Sequence, residues 1–150
     1  VIEAGVVDGK IVIEKLTAVI DCGFALTPDM VKAQIESGII YGLSAAMFQE
    51  ITFVNGAVQQ ANFDTYKSIR MFQSPEIEVH ILNTDNDPTG VGEPGLPPAA
   101  PALASAIFAA TGLRMRRMPF KPEFERLMAE SRTRGEKKQT TASITEEVGQ

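Results

Sequence analysis

Residues 90–101 read GVGEPGLPPAAP and set one carboxylate, Glu93, among Gly90, Gly92 and Gly95, with Pro94, Pro97 and Pro98 close behind. Glycine lets backbone approach a ligand closely. Proline fixes φ and removes an N–H donor. A loop this stiff suits the holding of one carboxylate in place, just ahead of an apolar helix. A carboxylate kept in a dry, rigid setting is a stronger base than one in water, and general base chemistry near neutral pH is the function it would serve. The ordinary fate of a glutamate in a turn is solvation, and that reading stands beside the catalytic one.

Other residues invite weaker readings. The glycines do not make a phosphate loop: the Lys-Ser/Thr ending and the full Gly-x-Gly-x-x-Gly spacing are missing, and Pro94 and Pro97 remove amides such a loop needs. The start of the helix near Thr27 has free N–H groups and is a better anion site, although an ordinary capped helix explains it equally. Gln34 lies beside the apolar stripe of that helix, where a glutamine is most often solvated. Cys22 reads as a buried, inert thiol. His80, flanked by Glu76 and Glu78, reads as exposed or paired. Tyr66 and Arg70 are four apart and read as a packed pair. Arg114, Arg116 and Arg117 form a small basic cluster, either a solvated edge or a contact for an anion or an acidic partner.

Composition narrows the classes. The chain has 150 residues, 44% hydrophobic and 22% charged, which suits one globular domain with a modest core. A formal charge of −5 argues against nucleic acid or an anionic membrane surface as partner. No apolar run reaches the roughly 18 residues of a membrane span, and no signal peptide is visible. One cysteine excludes an internal disulfide or a cysteine metal cluster, and one histidine argues against a histidine metal site, so no metal ligands are assigned. The chain opens at Val1 in mid-pattern, which is expected of a piece of something longer.

The elements that must position Glu93 are legible. Residues 10–20, dense in β-branched side chains, predict a strand. Thr27 as N-cap, Pro28 and Asp29 open a helix in which Val31, Ile35, Ile39, Leu43 and Met47 recur every four residues. Gly38, Gly42 and Ala46 form a second ridge of small residues, where another backbone or a ligand can come close. Asn55-Gly56 predicts a tight hairpin, and 61–75 an irregular surface crossing. Ile77, Val79 and Ile81 alternate with Glu76, Glu78 and His80 in a strand. Residues 83–98 are a long loop, either functional or disordered. An Ala-rich helix over 99–111 ends at Gly112. Residues 114–120 predict a last strand or extended arm, and 121–131 a short helix. The fold class expected is α+β, a small mixed sheet with two main helices. Residues 1–130 are expected to form the domain. Residues 131–150 form a polar tail expected to be disordered or to lie along a partner.

The segment GVGEPGLPPAAPALASAIFAATGLRMRRMPF closely resembles the C-terminal part of the molybdenum-binding large subunit of the xanthine dehydrogenase/aldehyde oxidase family, in particular the isoquinoline 1-oxidoreductase β-subunit type. The upstream run from VIDCGFALTPDM to YKSIRM resembles it too, with its Cys-Gly after a strand and its Gln-Ile-Glu-x-Gly helix. Residues 9–120 carry the likeness, and Gly-Glu-Pro-Gly followed by Pro-Pro-Ala-Ala-Pro is its most specific part. Ser105 stands where the family pattern has Asn.

The resemblance implies a portion of the molybdopterin-binding domain of a molybdenum hydroxylase. It makes Glu93 the catalytic base in the oxidation of an aldehyde or N-heterocycle with water-derived oxygen. It places Gln34 and Gly92 at a molybdopterin dinucleotide shared with other chains, since a cofactor that carries the hard chemistry asks little else of the protein. Iron–sulfur clusters are expected on a partner. The partners implied are the remainder of the molybdenum subunit, an iron–sulfur subunit or domain, and a small-molecule substrate. Family members are several times this length, so the chain is expected to be inactive alone. The alternative is a non-catalytic scaffold that docks a partner through its small-residue ridges.

Overall fold

A computed structural model describes the backbone of residues 1–147 and the side chains of residues 1–133. Three strands form the main sheet: β1 (Ile2–Val7), β2 (Lys10–Ile20) and β5 (Glu76–Ile81), in the order β1-β2-β5. β1 and β2 are antiparallel, joined at Asp8-Gly9, where both residues have positive φ. This is the turn chemistry that a two-residue hairpin favours. β2 and β5 run parallel, from Lys15 opposite Glu76 to Ile20 opposite Ile81. The sheet is therefore mixed, as the sequence predicts. β1 is the addition: its Glu3 and Gly5 interrupt alternation, so the sequence predicts no strand before residue 10.

α1 (Pro28–Met47) crosses from β2 toward β5 and buries the expected stripe of Val31, Ile35, Ile39, Leu43 and Met47. Thr27 sits at its N-cap, but only its carbonyl is used, accepting from the N–H groups of Met30 and Val31; the side chain makes no capping bond. β3 (Phe53–Val54) and β4 (Ala57–Val58) form the expected hairpin, with Asn55 and Gly56 at positive φ. A 3-10 turn over Met71–Gln73 interrupts the otherwise irregular 61–75 crossing.

α2 (Ala99–Thr111) ends where Gly112 turns left-handed and donates its N–H to the Phe108 carbonyl at 2.8 Å. Residues 114–120 form no strand; Met115 and Phe120 turn into the core instead, and the Arg114 guanidinium stacks 3.9 Å above the Phe108 ring. α3 (Phe120–Glu147) runs past the short helix expected over 121–131 and across the 130/131 division. The backbone is helical through Glu147, within the tail expected to be disordered or to lie along a partner, and the polar residues there include many strong helix formers. Residues 148–150 of the expected tail lie outside the described residues.

One apolar cluster joins Leu16 and Val79 of the sheet to Leu43 of α1, Leu103 and Ile107 of α2 and Phe124 of α3. Leu43 and Leu103 are fully buried. The helices thus number three among the described residues, and their packing leaves α1 as the platform on which the 83–98 loop lies.

Candidate functional site

β2 ends at Ile20 and delivers Asp21, Cys22 and Gly23 to one end of the sheet. Asp21 Oδ1 accepts from the Gly23 N–H at 3.0 Å and from the Thr84 hydroxyl at 2.7 Å, while Oδ2 accepts from the Asn86 amide at 3.3 Å. The Gly23 N–H above all, then the Thr84 hydroxyl, holds the Asp21 carboxyl below the usual carboxylate range. Two backbone bonds extend this clamp: Phe24 N–H to the Asn86 carbonyl and Thr89 N–H to the Cys22 carbonyl. Gly23 is required by its left-handed φ of 68° and because a side chain there would strike the Asn86 and Asp87 carbonyls. Cys22 is buried and free, as expected.

The second half of the loop lies on α1. The Gln34 amide Nε2 donates to the Gly92 carbonyl at 2.9 Å. A Cβ on Gly95 would come within 2.6 Å of the Ile35 carbonyl, and one on Gly42 within 2.6 Å of the Leu96 carbonyl. One on Gly38 would sit 3.4 Å from the Gly95 Cα. The small-residue ridge of α1 is therefore filled by the loop's own backbone. No described ligand or partner is needed to explain it. Between α1, the end of β2 and the loop's prolines is an apolar cleft of about 220 Å³, lined by Ile20, Ile35, Ile39, Pro94 and Pro98 among others.

Glu93 stands at the tip of this anchored turn, where its carbonyl accepts from the Leu96 N–H at 2.9 Å. The side chain is exposed, so this chain's own residues do not provide the dry enclosure expected from the glycines and prolines. The reason is local: Gly95 takes the position facing the helix, and Glu93, two residues earlier, faces away. No ion pair among the described residues involves it. Space around Gly90 and Gly92 is open, with nothing within 4 Å of where a Cβ would be.

The structure thus brings together all three residues singled out for a site: Gln34 bonds to Gly92, and Gly92 precedes Glu93. Asp21, Thr84 and Asn86 complete the arrangement and escape the sequence reading, although an Asp-x-Gly after a strand and an Asn-rich loop are the signal that finds them. The remaining candidates lie apart. His80 pairs with Glu78 at 3.0 Å, and Lys15 bridges Glu78 and Glu76 at 2.9 and 3.4 Å. The Arg70 guanidinium donates to the Phe63 carbonyl. Among the described residues no group of three His, Cys, Asp or Glu could hold a metal ion, and no helix is long and apolar enough to cross a membrane.

The chain is similar to known proteins. Residues 1–75 match the molybdopterin cofactor-binding domain family. The chain is 39% identical to the membrane-bound aldehyde dehydrogenase [pyrroloquinoline-quinone] of Gluconacetobacter polyoxogenes, over 76% of this chain and 15% of that protein. It is 38% identical to the isoquinoline 1-oxidoreductase subunit beta of Brevundimonas diminuta, over 73% of this chain and 14% of that one. The chain thus spans about one seventh of the length of these relatives. The fold matches quinoline 2-oxidoreductase from Pseudomonas putida 86 with a TM-score of 0.66 at 24% identity, covering 76% of this chain and 16% of that structure. The chain belongs to the molybdopterin cofactor-binding domain family, which ties it to the molybdenum-binding subunits of the xanthine dehydrogenase/aldehyde oxidase family.

Proposed function

We propose that residues 1–130 are the Glu93-bearing portion of a molybdenum hydroxylase, and that Glu93 is its general base. The overall reaction inserts water-derived oxygen into a C–H bond of an aldehyde or N-heterocycle, releasing two electrons and two protons. The observation that carries the reading is the anchored turn: Gln34 and Gly95 fix the loop to α1 while the Glu93 carboxylate projects from it. A base must be held within hydrogen-bond reach of the proton it takes, and a turn locked to a helix supplies that placement.

The residues here fit a pterin-borne metal. The open space at Gly90 and Gly92 leaves room for a bulky group beside the loop. We assign Gln34 and Gly92 to the cofactor's surroundings, as a dinucleotide form shared with other chains. When bound, that cofactor supplies the two-electron oxidation of the substrate carbon. Glu93 supplies the proton acceptor, and the cleft-side prolines Pro94 and Pro98 keep the turn from yielding. Iron–sulfur clusters on a partner would take up the electrons, and the rest of the molybdenum subunit would close the pocket. The names of the relatives suggest a substrate panel of isoquinoline and a simple aldehyde.

The test is Glu93→Gln in the assembled enzyme, assayed on that panel with molybdenum content measured in parallel. We expect normal assembly and metal content, with turnover lowered roughly 10²- to 10⁴-fold, the usual loss for a general base. Wild-type turnover by this variant contradicts the reading and favours the scaffold.

A further inference from the structure

We propose that Gln34 is a positioning residue for Glu93, a latch that holds the carboxylate's turn by the carbonyl that precedes it. This rests on the assignment of Glu93 as base. Nε2 of Gln34 is committed to the Gly92 carbonyl at 2.9 Å, across 58 residues of sequence. Oε1 and the second N–H of Nε2 remain for anything outside the chain. The bond reaches the peptide that links Gly92 to Glu93, so rotation of that peptide swings the Glu93 side chain and breaks the bond.

A second contact fixes the turn from the other side. Gly95 lies against the Ile35 carbonyl and the Gly38 Cα region, so residues 92 and 95 are both held to consecutive turns of α1. Between the two anchors the turn is closed by the Leu96 N–H on the Glu93 carbonyl. Gln34 and Ile35 are neighbours on α1, and one helix therefore sets both ends of the turn. Gly92 has open space around it and Gly95 does not. Val91 packs against the core just before Gly92, and at Gly92 itself the Gln34 bond is the restraint on the peptide that leads into Glu93.

Gln34→Glu tests this with little risk to folding, because the side chain is exposed. A carboxylate cannot donate to a carbonyl, so the latch opens. Gln34→Lys restores a donor without restoring an amide. The measurements are hydrogen exchange over residues 90–98, molybdenum content, and kcat and KM on whichever panel substrate the wild type oxidises, all in the assembled enzyme. We expect exchange over 90–98 to rise about fivefold in Gln34→Glu, the equivalent of one net hydrogen bond. Molybdenum content and KM stay as in the wild type, and kcat falls about tenfold or more because the base is misplaced. Gln34→Lys recovers part of both losses. Unchanged exchange in Gln34→Glu overturns the latch, as does loss of molybdenum without a change in exchange, which makes Gln34 a cofactor ligand. Normal turnover by Glu93→Gln removes the base assignment instead, whatever the exchange data show.

Discussion

Two loops of similar irregularity sit on opposite terms with the rest of the molecule. The 83–98 loop is tied down by residues far away in sequence: Asp21 binds Thr84 and Asn86, and Gln34 binds Gly92. The segment from Thr52 to Ser74, with the β3–β4 hairpin and the 3-10 turn, is held mostly by its near neighbours. Gln60 bonds back to Thr52, Thr65 to Asn62, and Gln73 to Arg70. Its large apolar side chains face outward, with Met71 95% and Phe72 87% exposed. Local bonds keep a turn's shape but do not fix where it sits. Distant bonds fix position, which is what a catalytic carboxylate needs.

That contrast is broken most severely at Gly95. Gly95→Val forces a branched side chain against the Ile35 carbonyl, and backbone must give way. Overpacking of this kind costs about 1–3 kcal/mol in thermal or denaturant unfolding. We expect turnover in the assembled enzyme to fall more than the stability loss alone explains, because the whole Glu93 turn lifts. The same stability cost with full activity would separate the turn from the chemistry.

Asp21 sharpens the comparison through pH. Its folded pKa is lowered, first by the Gly23 N–H and then by the Thr84 hydroxyl. Its contribution to stability is thus present above the unfolded carboxylate value, near 4. It is lost as pH falls through the lower folded value. Amide protection factors over 84–89, referenced to the intrinsic rate at each pH, should fall on acidification in the wild type, whereas Asp21→Asn should show lowered protection already at neutral pH and a weaker pH response. An identical acid response in the two proteins places the clamp elsewhere.

The smallest effect belongs to the locally held segment. Phe72→Ser removes an exposed ring from a turn closed by its own bonds, and the expected change in stability is within about 0.5 kcal/mol. A larger loss, measured by chemical unfolding, shows that this turn is packed in a way its exposure hides.

What the sequence made legible follows the same division. Periodic elements were readable because burial imposes a period: the four-residue stripe of α1, the alternation of β5, and the Gly112 stop of α2 all stand in the structure as expected. β1 escaped because Gly5 and Glu3 blur its period, and the true signal was the Asp8-Gly9 turn. The helical run of α3 escaped because low apolar content conceals a helix held by propensity. At the site, the residue types of the Glu93 turn were readable, but its surroundings were not. The ridge of Gly38 and Gly42 receives the loop itself, and only a three-dimensional register brings Gln34 opposite Gly92. Exposure of Glu93 was equally hidden, since spacing says which residue lies on a turn and not which way the turn faces.

The most direct test of the account is single-turnover reduction of the assembled Glu93→Gln enzyme by excess substrate without oxygen, followed by the absorbance of its redox centres. This isolates the proton-coupled oxidation of substrate from later electron transfer. The account expects full cofactor loading with reduction slowed by at least about 10²-fold. Reduction at the wild-type rate would contradict it, leaving the anchored turn a structural feature without a part in the chemistry.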